Sequence, residues 1–338
     1  MIEVGMLEEA CEAPAALERM LASDGGIYDE IVARLKRSPP PFAFTVARGS
    51  SDHAATYAGF LFASRAGRVV ATMPPSLWTR ARSDLHLEGA LALAVSQSGQ
   101  GPDIIETARF ARERGALAIA IVNDPASPLA EAAEFALDCR AGPERSIAAT
   151  KSVICTLAVI ARLTAAWTED AKLEDALSRL PEAVARAQAL SWEQGVIDLF
   201  SDVPAGFIIG RGPGMAVVQE MALKLQELAG LFAIGMSSAE FHHGPKALLG
   251  PGGPALLLPS EWTGEELERL IERAAGDPAM KVETIGRSPS FPRPEPLHPD
   301  LDPILVLSAF HGAADALARS RGLNPDNPAG LQKVTKTL

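Results

Sequence analysis

Only three cysteines occur in 338 residues, at Cys11, Cys139 and Cys155. An odd number at such wide spacing excludes a disulfide framework and a zinc knuckle, and it points to a reducing, cytoplasmic setting with no metal site. Basic charge is scarce as well, with 31 Lys and Arg against 42 Asp and Glu for a net charge of −11. Binding a phosphate backbone or an anionic membrane takes an extended basic surface, so neither nucleic acid nor membrane is an expected partner. A phosphorylated small molecule needs only local donors. The N-terminus carries Glu3, Glu8, Glu9 and Glu12 where a secretion signal would be basic. No apolar run approaches the roughly 20 residues of a membrane span.

The chain does have enough apolar residues, 47% of the total, to bury two ordinary cores. Its most informative stretch is Ser96-Gln97-Ser98-Gly99, which follows the apolar run Leu91 to Val95 and precedes Pro102, a residue suited to a helix's first turn. A buried strand that ends in hydroxyls, an amide and a glycine before a helix can cradle a phosphate: glycine admits close approach, the side chains donate, and the opening helix aims its N–H groups at the anion. By itself the stretch could equally be a polar turn. A second Ser-rich turn, Arg48-Gly49-Ser50-Ser51-Asp52, follows the strand-like segment Phe42 to Ala47. Two such strand ends side by side would converge on one ligand at the carboxyl edge of a parallel sheet.

Strand-like and helix-like segments alternate. Residues 42–47, 68–72, 90–95, 117–122 and 135–138 read as buried strands, separated by helices near 52–66, 102–115 and 127–133. That spacing requires parallel crossovers and hence an α/β, doubly wound sheet. After a long helical region over about 147–200 that Pro181 should break, the order restarts. The run from Phe207 to Gly212 matches Phe44 to Gly49 at an offset of 163 residues, and both copies lead through a helix to an Ala-Gly pair, Ala66-Gly67 or Ala229-Gly230. Coincidence or a duplicated domain would each explain the match, and we take duplication as the expectation. Further strands are expected at 255–258 and 281–285, around a helix near 264–275. Asp302-Pro303 should cap and open a final long helix that stops at Gly322. The expected domains are an N-terminal helical segment over 1–25, a first domain with connecting helices over 26–190, and a second domain with a C-terminal tail over 191–338.

Three features of the second half could carry chemistry: Lys224 with Glu227 on one helix face, the turn His242-His243-Gly244-Pro245, and Lys333 near the end of the chain. Each also has an ordinary explanation, as a solvated ion pair, a surface turn and a wet tail lysine.

Taken together, the strings SQSG, AATK, ALKLQE, HHGP and DNPAGLQKVTKTL, in this order, resemble the sugar isomerase (SIS) domain family over nearly the whole chain. The likeness is greatest to the isomerase half of glutamine–fructose-6-phosphate aminotransferases and to stand-alone glucosamine-6-phosphate deaminases. It implies two tandem SIS domains of flavodoxin-like architecture. Position by position it also implies that Ser50, Ser51, Ser96, Gln97 and Ser98 hold phosphate and sugar hydroxyls, with Ile147, Ala148, Thr150 and Gln332 lining the pocket. Glu227 would shuttle a proton between carbons 1 and 2, and Lys333 would form a Schiff base with a ketose, with Lys224 as a second lysine beside the base. His243 would open the sugar ring in the site of the neighbouring subunit of a homodimer. No cofactor and no metal are implied.

The residue types suit that chemistry. A carboxylate between adjacent carbons can take a proton from one and return it to the other, an effect worth about 10²–10⁴-fold. A lysine with an ordinary pKa near 10.4 is protonated at neutral pH, so Lys333 needs burial or a charged neighbour to become a nucleophile. One departure concerns Gly101, which stands where the aminotransferases place a phosphate-binding threonine, so that one side-chain hydrogen bond to phosphate is either missing or replaced by a backbone N–H. Residue 2 is Ile2 rather than the nucleophilic cysteine of a glutaminase domain. The expected reaction is therefore deamination of glucosamine 6-phosphate to fructose 6-phosphate and ammonia. Alternatives are an aldose–ketose isomerase or aminotransferase-type enzyme acting on another sugar phosphate, and a sugar-phosphate sensor without turnover.

Overall fold

The structure is a computed structural model that describes residues 5–23, 25–250, 253–277 and 279–333. In chain order its first elements are α1 (Met6–Cys11), α2 (Ala13–Leu21), α3 (Gly26–Arg37), β1 (Ala43–Val46), α4 (Ser50–Ala66), β2 (Val70–Thr72), α5 (Ser76–Thr79) and β3 (Leu91–Val95). Then follow α6 (Pro102–Glu113), β4 (Leu117–Val122), α7 (Pro128–Ala132), β5 (Phe135–Asp138), α8 (Lys151–Thr168), α9 (Ala171–Gln188) and α10 (Glu193–Phe200). The remainder is β6 (Ala205–Gly210), α11 (Gly214–Ala229), β7 (Phe232–Ser237), α12 (Ser238–His242), β8 (Ala255–Leu257), α13 (Glu265–Ala275), β9 (Val282–Thr284) and α14 (Asp302–Ser320).

Two compact units result. The first comprises Ala13–Glu144, Lys151–Pro181 and the chain from Gln332; the second comprises the chain up to Glu12, Arg145–Thr150 and Glu182–Leu331. In the first unit five parallel strands run in the order β2-β1-β3-β4-β5. In the second, four parallel strands run β7-β6-β8-β9. Each sheet reverses its winding once, between β1 and β3 and between β6 and β8. In an open α/β sheet the strand ends at that reversal form a ligand crevice.

The central strands β1, β3 and β4 are buried along their whole length, which is why they read as continuous apolar runs rather than as alternating ones. Alanines at 92, 94, 118 and 120 leave room for the larger side chains of Phe44, Ile104 and Phe110 in one core. The equivalent core of the second unit gathers Phe207, Ile209, Phe241, Leu257, Leu267 and Leu270. Helices α4 and α11 each stop at a glycine in the left-handed region, Gly67 at φ 63° and Gly230 at φ 59°.

Four sequence expectations need correction. Pro181 does not break the helical region; it lies inside α9. The break comes earlier, at Glu169 with φ 55°, after which Asp170 accepts the N–H groups of Lys172 and Leu173 and starts α9 afresh. Loss of one backbone hydrogen bond at Pro181 is tolerated because Leu173, Leu177, Leu180 and Val184 are buried along one face. Secondly, the 18-residue helix α8 is long and apolar enough to cross a membrane, although 78% of it is buried, packed by α2, α3 and α4. Thirdly, Leu301 rather than Asp302 is the N-cap of α14, because the Asp302 carboxylate turns back to accept the N–H groups of Leu297 and His298. Finally, β7 went unread: it begins with an exposed Phe232, holds Gly235 at its centre and shows no buried run.

Candidate active site

The predicted residues fall in both units. Ser50, Ser51, Ser96, Gln97, Ser98, Gly101, Gln332 and Lys333 belong to the first; Ile147, Ala148, Thr150, Lys224, Glu227 and His243 belong to the second.

In the first unit the two serine-rich turns lie at neighbouring strand ends, where β1 and β3 flank the reversal of winding. The turn after β3 is held open from within. Gly99 adopts φ 61°, and a Cβ there would come within 2.1 Å of Ser127 Oγ. The Gly99 N–H donates to Ser96 Oγ (3.2 Å) and the Gln100 N–H to Ser98 Oγ (3.3 Å). Both hydroxyls thereby act as acceptors toward the backbone, which leaves their own O–H groups to donate outward. Among the described residues no acceptor is recorded for the N–H groups of Gln97, Ser98 and Gly101. Gly101 is the N-cap of α6, whose first residue is Pro102, so the backbone supplies a donor where a threonine is missing. Arg48 ties the two turns together. Its guanidinium donates twice to the buried Asp103 of α6, at 3.0 and 3.1 Å. Across the other turn, Gly49 at φ 55° would have nothing within 4 Å of an added Cβ.

Lys333 meets a carboxylate to which the sequence reading gives no chemical role. Its ammonium donates to Glu144 Oε2 at 2.9 Å, with Glu144 fully buried and Lys333 one-quarter exposed. Ser152, in the first turn of α8, donates its N–H to Oε1 at 3.0 Å and its hydroxyl to Oε2 at 2.6 Å. Burial would raise the carboxyl pKa of Glu144, but Lys333 and Ser152 outweigh it and hold the value below the usual carboxylate range.

In the second unit the segment carrying Ile147, Ala148 and Thr150 is anchored by the buried Glu9 of α1. That carboxylate accepts the N–H groups of Arg145 (2.6 Å) and Ser146 (2.9 Å), and also the Ser146 hydroxyl. The acidic stretch at the N-terminus therefore has a structural task. Ala148 and Thr150 are completely buried. The Asp326 of the DNP motif accepts the Met6 N–H at 2.7 Å and pairs with Arg319 of α14.

Lys224 and Glu227 are not a solvated pair. The Lys224 side chain has no exposure at all; its ammonium lies 2.7 Å from Glu227 Oε2 and 3.2 Å from Oε1 of Glu220, a carboxylate 1% exposed. Burial would lower the Lys224 pKa, but the two carboxylates overcome it and hold the value above that of a free lysine. Lys224 is thus a fixed ammonium, and it orients Glu227, which keeps 23% exposure and one side toward solvent. Glu220 was missed because one more acidic residue on a helix carries no sequence signal; only the burial of its partner marks it. His243 ends α12, exposed, and its ring makes no hydrogen bond or ion pair among the described residues. Gly244, beside it, has φ 153°. Among the described residues no group of three His, Cys, Asp or Glu side chains could hold a metal ion.

Comparison with known proteins accords with this geometry. The SIS domain profile matches residues 42–166. Glutamine–fructose-6-phosphate aminotransferase of Thermococcus kodakarensis is 31% identical across 97% of this chain and 57% of that protein, so the chain spans less than three-fifths of that relative's length. The glucosamine-6-phosphate deaminase structure from Thermotoga maritima shares the fold, with a TM-score of 0.76 at 21% identity over 98% of this chain and 99% of that one. A candidate phosphosugar isomerase structure from Silicibacter pomeroyi DSS-3 is 36% identical, with a TM-score of 0.87 over 95% of this chain and 99% of that one. Identity at that level, sustained over nearly the full length of both chains, means that this chain belongs to the SIS domain family.

Proposed function

We propose that the protein is a cytoplasmic amino-sugar-phosphate deaminase that converts glucosamine 6-phosphate into fructose 6-phosphate and ammonia. The observation that carries this reading is the buried Lys224 ammonium, which fixes a partly exposed carboxylate at 2.7 Å. A carboxylate aimed in this way can take the proton from carbon 2 of the open-chain sugar and return it to carbon 1, leaving a ketimine at carbon 2 that water hydrolyses. Glu227 is that base. Ser50, Ser51, Ser96, Gln97, Ser98 and the Gly101 N–H receive the phosphate and sugar hydroxyls, a reading supported by the Ser96 and Ser98 hydroxyls, which accept from the backbone and so keep their own O–H groups to donate. Ile147, Ala148, Thr150 and Gln332 line the substrate, and Lys333 forms a Schiff base with the ketose. The exposed His243 opens the pyranose of a partner subunit in a homodimer.

The common strand order of the two sheets supports a tandem duplication as the origin of the chain. The experiment is to incubate purified protein with glucosamine 6-phosphate and measure ammonia and fructose 6-phosphate together; equal release of both is expected, and release of neither overturns the assignment. A second reading, aldose–ketose isomerisation of a neutral sugar phosphate, uses the same base and is favoured by the description of the Silicibacter relative. It predicts ketose from glucose 6-phosphate with no ammonia.

A further inference from the structure

We propose that Glu144 is the group that makes Lys333 nucleophilic: it holds the ammonium and then takes its proton as the ketose carbonyl arrives. The inference rests on the Schiff-base role given to Lys333 above and adds a role for Glu144 to it.

Three observations carry it. The Nζ of Lys333 lies 2.9 Å from Glu144 Oε2, a distance at which a proton passes along an existing hydrogen bond. The carboxylate has no exposure, and Ser152 holds it against Lys333 through two hydrogen bonds, so the ammonium proton has a fixed path to it. Lys333 remains one-quarter exposed, so its nitrogen has an open side from which a carbonyl can approach. Glu144 also acts on the thiols of Cys139, pushed up to about 12 by burial, and Cys155, which burial likewise raises well above its ordinary value. Both stay neutral near pH 7 and cannot replace the carboxylate as proton acceptor. The charges of Arg19 on α2 and Lys151 on α8 oppose that rise at Cys155.

The step balances. The ammonium gives one proton to Glu144; the amine lone pair forms the N–C bond to carbon 2; a nitrogen proton moves to the oxygen; and the hydroxyl departs as water with the proton that Glu144 held. The products are a protonated iminium, the regenerated carboxylate and one water.

The test uses the full-length protein, fructose 6-phosphate and cyanoborohydride, which reduces only the iminium, with the adduct at Lys333 read by mass spectrometry. Wild type should be trapped at pH 7. Glu144→Gln should be trapped about 100-fold more slowly at pH 7 and recover toward pH 10, where bulk base deprotonates a free lysine of pKa about 10.4, while fructose 6-phosphate binding by calorimetry stays within about threefold. If Glu144 merely anchored the ammonium, its removal would free the amine and speed trapping, so trapping of Glu144→Gln at the wild-type rate or faster overturns the inference alone. No adduct at Lys333 in wild type overturns the reading of Lys333 and this inference with it. Should Glu144→Gln not fold, Ser152→Ala decides. It keeps the carboxylate but removes a donor to it, making Glu144 the stronger proton acceptor, so trapping should be at least as fast as in wild type; slower trapping with intact binding overturns the proposal.

Discussion

The reversal of winding in one sheet and its counterpart in the other are built alike and equipped differently. In the first unit Arg48, two residues beyond β1, pairs with Asp103; in the second, Arg211 beyond β6 pairs with Glu266, and both partners stand 55 residues further along. The frame is the same, and the lining is not. At the constant spacing of 163 residues, Ser50, Ser51, Ser96 and Ser98 correspond to Pro213, Gly214, Pro259 and Glu261, and Gly99 corresponds to Trp262. An added Cβ on Gly49 would meet nothing, whereas on Gly212 it would come within 2.5 Å of the Trp262 ring. Helices α4 and α11 exchange roles in the opposite sense: where α4 carries Tyr57, Leu61 and Ser64, α11 carries Glu220, Lys224 and Glu227. Leu61 and Lys224 are both completely buried. A single backbone plan has donors in one loop pair and charges on the opposite helix, and what differs is the side-chain set.

The largest effect should come from removing the charge that α4 lacks. Glu227→Gln keeps the hydrogen bond to Lys224 yet cannot accept a proton at neutral pH, so turnover of glucosamine 6-phosphate should fall by about 10²–10⁴-fold with little change in Michaelis constant. A loss below about threefold would take Glu227 out of the mechanism. Converting Lys224 to the leucine found at the matching position of α4 strands Glu220 in the core. Urea unfolding should show a loss of about 3–5 kcal/mol, and adding Glu220→Gln should recover part of it. A neutral Lys224→Leu would mean that the two helices are interchangeable at this core position despite their different charges.

Smaller effects test the loops. Ser96→Ala and Ser98→Ala should each weaken binding of the phosphorylated sugar by about 1.5–3 kcal/mol, the value of a charge-assisted hydrogen bond, and have far less effect on free glucosamine. Ser260→Ala, in the matching loop of the second unit, should leave both constants unchanged. Equal losses for the two sugars would indicate collapse of the loop rather than loss of phosphate donors.

The smallest effect concerns acid. Backbone donors, Ser238 and Arg211 outweigh the burial of Glu266 and lower its pKa to about 2. Because the folded value lies below the unfolded one, its contribution to stability is present above about pH 4.5 and disappears as the pH falls toward 2. Thermal midpoints of Glu266→Gln and wild type should therefore differ at pH 6 and converge between pH 4.5 and 2. Parallel curves throughout would sink the assignment.

Much of this was legible from sequence because buried parallel strands announce themselves as unbroken apolar runs, and loops that bind anions as glycine with hydroxyls. Residues 91–95, 117–122 and 207–210 are of the first kind, Ser96 to Gly99 of the second. What escaped depends on contacts made across long stretches of chain. Glu144 has no legible role until Lys333 is found on it, 189 positions away. The strand β7 lacks a buried run because it lies at a sheet edge, and Pro181 is a helix breaker only where packing is too weak to hold the helix together.

The ionic triad on α11, with Glu220 and Lys224 buried and Glu227 partly exposed, also bears on how such a helix can change over evolutionary time. Starting from a helix like α4, a mutation that puts lysine at the core position before the acids arrive buries a lone cation, and one that places glutamate first buries a lone anion; each order passes through an unstable chain. The reverse route meets the same obstacle. Lys224, Glu220 and Glu227 are therefore hard to acquire one at a time and hard to lose one at a time, and a descendant that gives up catalysis should tend to keep all three as a fossil of it.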